Sequence, residues 1–278
     1  MRSQLWVLDT HSLIYRAMHM RNGTPTVARD GRSTKGVNKF VRLLVDLLDA
    51  HDPDYLVAAL DVPRHTTFRR AMYPDYKKGR GNKTRDADIK HQVNMCVDVL
   101  HAFGIPSIKV EGFEADDVIA SIVDVCAGPN TECVVVTRDK DLYQLVSDDC
   151  MIYDHHTGSF IKEPEVIKRW GVKPSDFVEF QTLTGDSRDN VPGVSQFGDT
   201  RARIYIKKYG TVATMCDNLD ELPSWASKAL TEADLTMCRQ LVELRTDVPL
   251  SISADRMAYD GLDYDRAKPI LKCLGINI

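Results

Sequence analysis

Leu5-Trp6-Val7-Leu8-Asp9 is a short, continuous apolar run closed by an acid. The pattern returns at Tyr55-Leu56-Val57-Ala58-Ala59-Leu60-Asp61 and at Val134-Val135-Val136-Thr137-Arg138-Asp139. Runs this short, without alternation and rich in β-branched or aromatic residues, read as strands buried on both faces, the habit of a parallel sheet. Each acid then stands at or just beyond a strand's carboxyl end. Open α/β sheets hold ligands in the crevice outside those ends, so Asp9, Asp61 and Asp139 are expected to converge on one place.

Working outward, periodicity predicts strands at about 4–9, 55–61, 105–110, 132–137 and 150–154, and helices at about 36–50, 88–103, 114–127 and 140–147. This alternation implies an α/β fold with a mostly parallel central sheet and helices on both faces, since parallel neighbours need a crossover that a helix usually fills. Strand signals stop after Pro164. Residues 174–184 and 199–209 read as helices opened by a proline or a capping acid, the second ended by Gly210. The expected division is an α/β domain over 1–162, with a basic excursion at about 64–90, and a helical region over 163–278.

With 278 residues and 43% hydrophobic composition the chain can bury a full core. No apolar run approaches the roughly 18 residues that cross a bilayer, and residues 1–4 lead straight into a strand, so neither a membrane span nor an export signal is expected. Seven cysteines without C-x-x-C spacing fit reduced packing thiols. A cytoplasmic location is expected. The pair His155-His156, just before Gly158, reads as a surface turn.

Net charge is −4, but it is unevenly spread: Arg64 to Lys90 carries nine basic residues against three acids, leaving +6 there and −10 elsewhere. The same stretch contains Phe68, Tyr73 and Tyr76. Cations interleaved with aromatics suit single-stranded nucleic acid, where bases stack while cations follow the backbone. A solvated loop and helix face is the plainer alternative.

Nine acids form the candidate centre: Asp9, Asp61, Glu114, Asp116, Asp117, Asp139, Asp141, Asp186 and Asp189. Any one cluster could be ordinary helix capping or an Asx turn. Together they would repel strongly without cations. Oxygen-only ligation selects hard ions such as Mg²⁺ or Mn²⁺, and two ions about 3.5–4 Å apart could drive an in-line phosphodiester displacement.

The stretches Val7–Ala17, Thr67–Arg80, Glu111–Ile119, Thr137–Leu145 and Thr184–Val194, in that order, resemble the 5′-nuclease and flap endonuclease superfamily. Its members include the 5′-nuclease domain of bacterial DNA polymerase I and the stand-alone phage flap endonucleases. The resemblance implies that all nine acids are metal ligands, with Asp9, Asp61 and Asp117 among the catalytic set. It implies a helical arch with Lys77 and Arg80 as clamps on the scissile phosphate and Tyr76 stacked on a base. Arg69, Lys83, Arg201, Lys207 and Lys208 join the DNA-binding set, the last three at a helix-hairpin-helix-like element over about 190–210.

The implied reaction is 5′-3′ exonuclease and 5′-flap endonuclease cleavage of DNA with flaps, nicks or single-stranded 5′ ends, and of RNA–DNA hybrids such as primers, beside a replicative polymerase. The usual hairpin reads Gly-Val-Pro-Gly-Ile-Gly, whereas this chain has Ser195 in place of the proline and Gln196 in place of the second glycine. A K⁺ ion held by hairpin carbonyls is therefore in question. The alternatives are a non-catalytic binder of branched DNA and a PIN-type ribonuclease, the latter usually shorter and lacking arch and hairpin. A phosphatase with a strand-terminal aspartate would need a second aspartate two residues after Asp9, where His11 stands.

Overall fold

A computed structural model describes residues 2–20, 26–79 and 83–278, with the side chains of 83–89 left aside. Among the described residues one six-stranded sheet runs in the order β3-β2-β1-β4-β5-β6. Its strands are β1 (Ser3–Asp9), β2 (Tyr55–Ala59), β3 (Ser107–Ile108), β4 (Thr131–Val136), β5 (Cys150–Asp154) and β6 (Ser159–Ile161). The first five pair in parallel, and β6 closes the edge antiparallel to β5. Strand order reverses direction at the β1–β4 pair, the place where an open sheet leaves a crevice.

Helices α1 (Thr10–His19), α2 (Lys35–His51), α3 (Phe68–Met72), α4 (Lys83–Ala102) and α5 (Ala115–Cys126) connect these strands. Then follow α6 (Glu163–Trp170), α7 (Phe177–Thr184), α8 (Asp199–Tyr209), α9 (Val212–Asp217), α10 (Ser224–Glu232), α11 (Leu235–Val242), α12 (Ala254–Met257) and α13 (Tyr264–Cys273).

Alternate residues of the central strands feed two cores. Leu5, Val7, Val57, Cys133 and Val135 pack with α5 and with Phe177, Phe180, Ala202 and Leu230 of the later helices. Trp6, Leu8, Leu56, Val134 and Val136 pack on the opposite face with α1, α2, α4 and Leu271 of α13. Both faces of the strands are thus buried, which is why their sequence shows no polar alternation. The helical C-terminal region shares a core with the sheet, and this brings its acids to the sheet's crevice.

Several local expectations change. Helix α1 was not expected: Asp9 ends β1 and also caps α1, its carboxylate accepting from the Ser12 amide at 3.0 Å, so strand and helix join without a loop signal. The strand expected at 105–110 contracts to Ser107–Ile108, and the helix at 140–147 is a 3₁₀ turn over Lys140–Leu145. Helix α4 begins at Lys83, so the later part of the basic excursion is helical; its earlier part holds α3 and a run of turns over 74–79. The turn after β5 forms as expected and His156 is exposed in it, but His155 is buried: only 4% of it is exposed, and burial together with nearby Arg16 pushes its imidazole down to about 4.

The loop after α7 crosses itself closely. Gly185 has φ +66°, and a Cβ there would lie 2.5 Å from the Val191 carbonyl oxygen and 2.7 Å from the Gly193 amide. Gly193 has φ +65° and faces Gly185 in return. Only residues without Cβ permit this crossing. Gly193→Ala is expected to destabilise the protein by at least about 2 kcal/mol, read as a lower urea midpoint with unchanged slope.

Candidate metal centre

Four elements deliver the acids. Asp9 ends β1, and its second carboxylate oxygen accepts from the Thr137 hydroxyl at 2.6 Å. Asp61, beyond β2, accepts from the Ala115 amide in the first turn of α5 at 2.9 Å, with His11 Nδ1 3.5 Å from its other oxygen. Asp116 stands in that same first turn. Asp139 caps the 3₁₀ turn after β4 and accepts from the Asp141 amide at 3.1 Å. Crowding is evident in the protonation chemistry. Burial, then Asp61 and Asp139, pushes Asp9 up to about 7 despite its hydrogen bonds. Burial, then Asp139 and Asp9, holds Asp116 well above the usual carboxylate range.

A second group adjoins it. Asp141, pushed up to about 7 by burial and Asp139, accepts from Gln181 of α7 at 2.5 Å. Asp186 accepts from the Arg188 amide at 2.8 Å and the Asp189 amide at 3.2 Å, and its other oxygen lies 2.7 Å from Lys140 Nζ. Burial opposes ionisation of Asp186, but Lys140 outweighs it and holds the carboxyl below its ordinary value. Asp189 lies 3.6 Å from Lys77 Nζ.

Lys77 links the basic excursion to these acids. Its ammonium is 2.7 Å from Glu114, its amide donates to the Asp189 carbonyl at 2.8 Å, and its backbone sits at φ +53°. Asn190 locks the partner loop by donating to the Asp75 carbonyl at 2.9 Å. A non-glycine residue held in the left-handed region at such a spot is the kind of strain that clusters at functional sites.

Three sequence-based assignments are corrected. Arg69 is 2% exposed, and its guanidinium grips Asp117 through two parallel bonds of 2.6 and 2.7 Å while also donating to Glu114 and to the Leu241 and Glu243 carbonyls. It cannot reach a phosphate. Asp117 is fully buried, and each of its oxygens takes two N–H donors, from Arg69, Glu114 and Arg245. It is a structural carboxylate here and no ligand. Tyr76 is 5% exposed, packed with Val191, Leu241 and Val242, with its hydroxyl donating to Glu114 at 2.9 Å, so it supports Lys77 instead of stacking on a base.

Glu114, engaged by Arg69, Tyr76 and Lys77, orients these groups at the rim of the acid cluster. Arg80 lies outside the described residues, as does the side chain of Lys83. Lys207 and Lys208 are exposed on α8. Arg201 donates to the Gln196 carbonyl at 3.0 Å and stacks 4.4 Å from the centre of the Trp225 ring.

Among the described residues no three His, Cys, Asp or Glu side chains close on one point as a finished ion cage. The hydrogen bonds and lysines above hold them apart. The donor set nevertheless fits a hard divalent ion, because carboxylates crowded until Asp9 and Asp141 resist ionisation would be relieved by one. Gln181 Oε1, beside Asp141, is buried without a hydrogen-bond partner among the described residues; such an acceptor suits the O–H of an ion-bound water.

The family model described as "5′-3′ exonuclease, N-terminal resolvase-like domain" matches residues 4–171, and "5′-3′ exonuclease, C-terminal SAM fold" matches 172–265. A curated 5′-3′ exonuclease of Aquifex aeolicus is 32% identical, the match covering 96% of this chain and 91% of that protein. The chain belongs to the 5′-3′ exonuclease family. DNA polymerase I of Mycobacterium bovis is 34% identical over 94% of this chain, which spans only 29% of that relative's length. The fold is shared with T5 5′-exonuclease solved with bound zinc (TM-score 0.75, 20% identity, 98% of this chain and 99% of that one). It is shared also with the catalytic core of Rad2 in complex with a DNA substrate (TM-score 0.60, 15% identity, 98% and 87%).

Two substitutions separate the roles within this family member. Arg69→Met leaves the Asp117 carboxylate buried and uncompensated, and is expected to cost about 3–5 kcal/mol in chemical denaturation. Asp116→Asn removes one of the repelling groups, and is expected to raise the Tm of the metal-stripped protein by a few degrees in calorimetry.

Proposed function

We propose that the chain is a divalent-metal-dependent, structure-specific 5′ nuclease that hydrolyses DNA phosphodiesters, with Mg²⁺ or Mn²⁺ as the working ion. The observation that carries this reading is Lys77, held by strained backbone between two groups of crowded carboxylates at the sheet's switch point. Asp9, Asp61, Asp116 and Asp139 would hold the ion nearer the scissile phosphate, and Asp141, Asp186 and Asp189 a second. A bound ion of this kind supplies an activated water and polarises phosphoryl oxygens.

The chain's own residues do the rest. The hydroxyl of Thr137 and the Ser12 amide fix the Asp9 carboxylate, and the first turn of α5 fixes Asp61. Burial opposes protonation of Lys77, but Glu114 outweighs it and keeps the ammonium charged, ready to meet charge developing on a phosphate. Tyr76 carries that ammonium 4.8 Å above its ring and anchors Glu114, which sets where Lys77 can reach. Arg80 and Lys83 are assigned to the DNA by the family resemblance alone.

Substrates consistent with this arrangement are DNA with 5′ flaps, nicks or single-stranded 5′ ends, and RNA–DNA hybrids, met by a cytoplasmic monomer working beside a polymerase. Lys207 and Lys208 offer the duplex a cationic face. A K⁺ ion at the hairpin fits poorly: Gln196, in the left-handed region at φ +66°, presents its carbonyl to the Arg201 guanidinium, so a cation is already seated there. No step depends on K⁺.

The test uses 5′-labelled flap, nicked duplex and RNA–DNA hybrid, each with Mg²⁺ and with EDTA. Cleavage of the flap only with Mg²⁺ is expected, and cleavage unaffected by EDTA would overturn the mechanism. Lys77→Ala should lower the cleavage rate by about 10²–10³ while changing DNA affinity far less; equal losses in both would remove its role at the phosphate.

A further inference from the structure

The two acidic groups differ in what neutralises them. Among the described residues, the hydrogen-bond donors to Asp9, Asp61 and Asp139 are uncharged, namely Ser12, Thr137, Ala115 and Asp141. His11, 3.5 Å from Asp61, is the nearby titratable base. The other group faces two cations: Lys77 lies 3.6 Å from Asp189, and Lys140, in the 3₁₀ turn, has its Nζ 2.7 Å from Asp186. The Lys140 ammonium also lies 5.7 Å from the Trp170 ring centre, a contact that favours a cation at this place. Asp186 is 8% exposed at its side chain and Lys140 34%, so the carboxylate is buried while the lysine keeps a route to solvent.

Lys140 sits between two of the acids, Asp139 and Asp141, in the sequence, so the turn that presents those carboxylates also presents a positive charge to the group they face. Gln181 adds an independent sign that this group is built for a ligand. Its amide nitrogen holds Asp141, and its oxygen is buried with no partner among the described residues.

We propose that Lys140 is the resident counter-ion of Asp186 within the Asp141–Asp186–Asp189 group, and that a second divalent ion is held there only by displacing this ammonium from Asp186. This rests on the two-ion reading above. The ammonium stays protonated throughout and swings out on its flexible stem, exchanging one ion pair for another. The consequence is a built-in inequality. Among the described residues no ammonium is ion-paired with a carboxylate of the first group, whereas the second must compete with a tethered charge, so it fills at higher ion concentration. The released ammonium is then free to meet a phosphate oxygen of the substrate.

The experiment counts Mn²⁺ ions on the full chain without DNA, by titration calorimetry and by the electron paramagnetic resonance of free Mn²⁺. The unaltered chain should show one tight and one weak class. In Lys140→Met, which keeps the stem and drops the charge, the weak class should tighten at least about tenfold, with the tight class unchanged. Adding Asp186→Asn to that variant should abolish the gain. Lys78→Met, which removes a like charge from the exposed pair with Asp75, should change neither class.

An unchanged or weakened second class in Lys140→Met, alongside a normal first class, overturns the role of Lys140 alone. Equal tightening in Lys78→Met overturns it as well, since the effect would then be one of net charge. Absence of any tight Mn²⁺ class in the unaltered chain overturns the metal centre and this inference with it. Should Lys140→Met fail to fold, Lys140→Gln carries the same expectations.

Discussion

Mutual repulsion among carboxylates is the constraint on which this molecule is organised. A parallel sheet whose strand order reverses between β1 and β4 brings the acids at the ends of those strands, and those of the neighbouring turns, into one crevice. Burial then removes the water that would have screened them. The protein tolerates this arrangement by surrounding the acids with fixed donors: the Thr137 hydroxyl, the first-turn amide of Ala115, the Gln181 side chain and the ammonium groups of Lys77 and Lys140. What remains uncompensated favours cations, and on this the proposed function rests.

The buried Arg69–Asp117 pair holds the frame behind this crevice. It ties the start of α5 to α3 and, through the Leu241 and Glu243 carbonyls, to the end of α11, three segments far apart in the chain. Two parallel bonds between a planar guanidinium and a carboxylate fix orientation as well as distance. Lys77, Glu114 and Tyr76 sit against this frame, so the basic excursion enters the site from a rigid footing.

Much of this was legible in the chain. Apolar runs ending in acids marked β1, β2 and β4 and their common end, and Asp9, Asp61, Asp116, Asp139, Asp141, Asp186 and Asp189 do gather there. Less legible was α1, because one residue both ends a strand and caps a helix, leaving no turn composition to read. Arg69 and Asp117 misled for another reason: helical neighbours of the same type point to different sides, so Arg69 is buried on Asp117 while Arg70 binds the Tyr76 carbonyl, and Asp117 is buried while Asp116 stays partly exposed. His155 likewise sits in a turn but is drawn inward to Ser12 and Arg16 of α1, with ring nitrogens 3.1 Å from each.

The chain's local patterns were enough for the fold class, for the end of the sheet where the acids gather and for the all-oxygen character of the candidate ligands. These follow from local hydrophobic runs and from the identity of side chains, which no folding can alter. Only the tertiary structure decided which carboxylates remain available and which are consumed as internal ion pairs, because that depends on what arrives from distant segments. Arg69 reaches Asp117 across 48 positions and Lys77 reaches Glu114 across 37. Lys140 meets Asp186 because the helical region packs on the same core as the sheet. Electrostatic pairing at this range is set by three-dimensional proximity and burial, and neither is encoded in the spacing of charges along the chain.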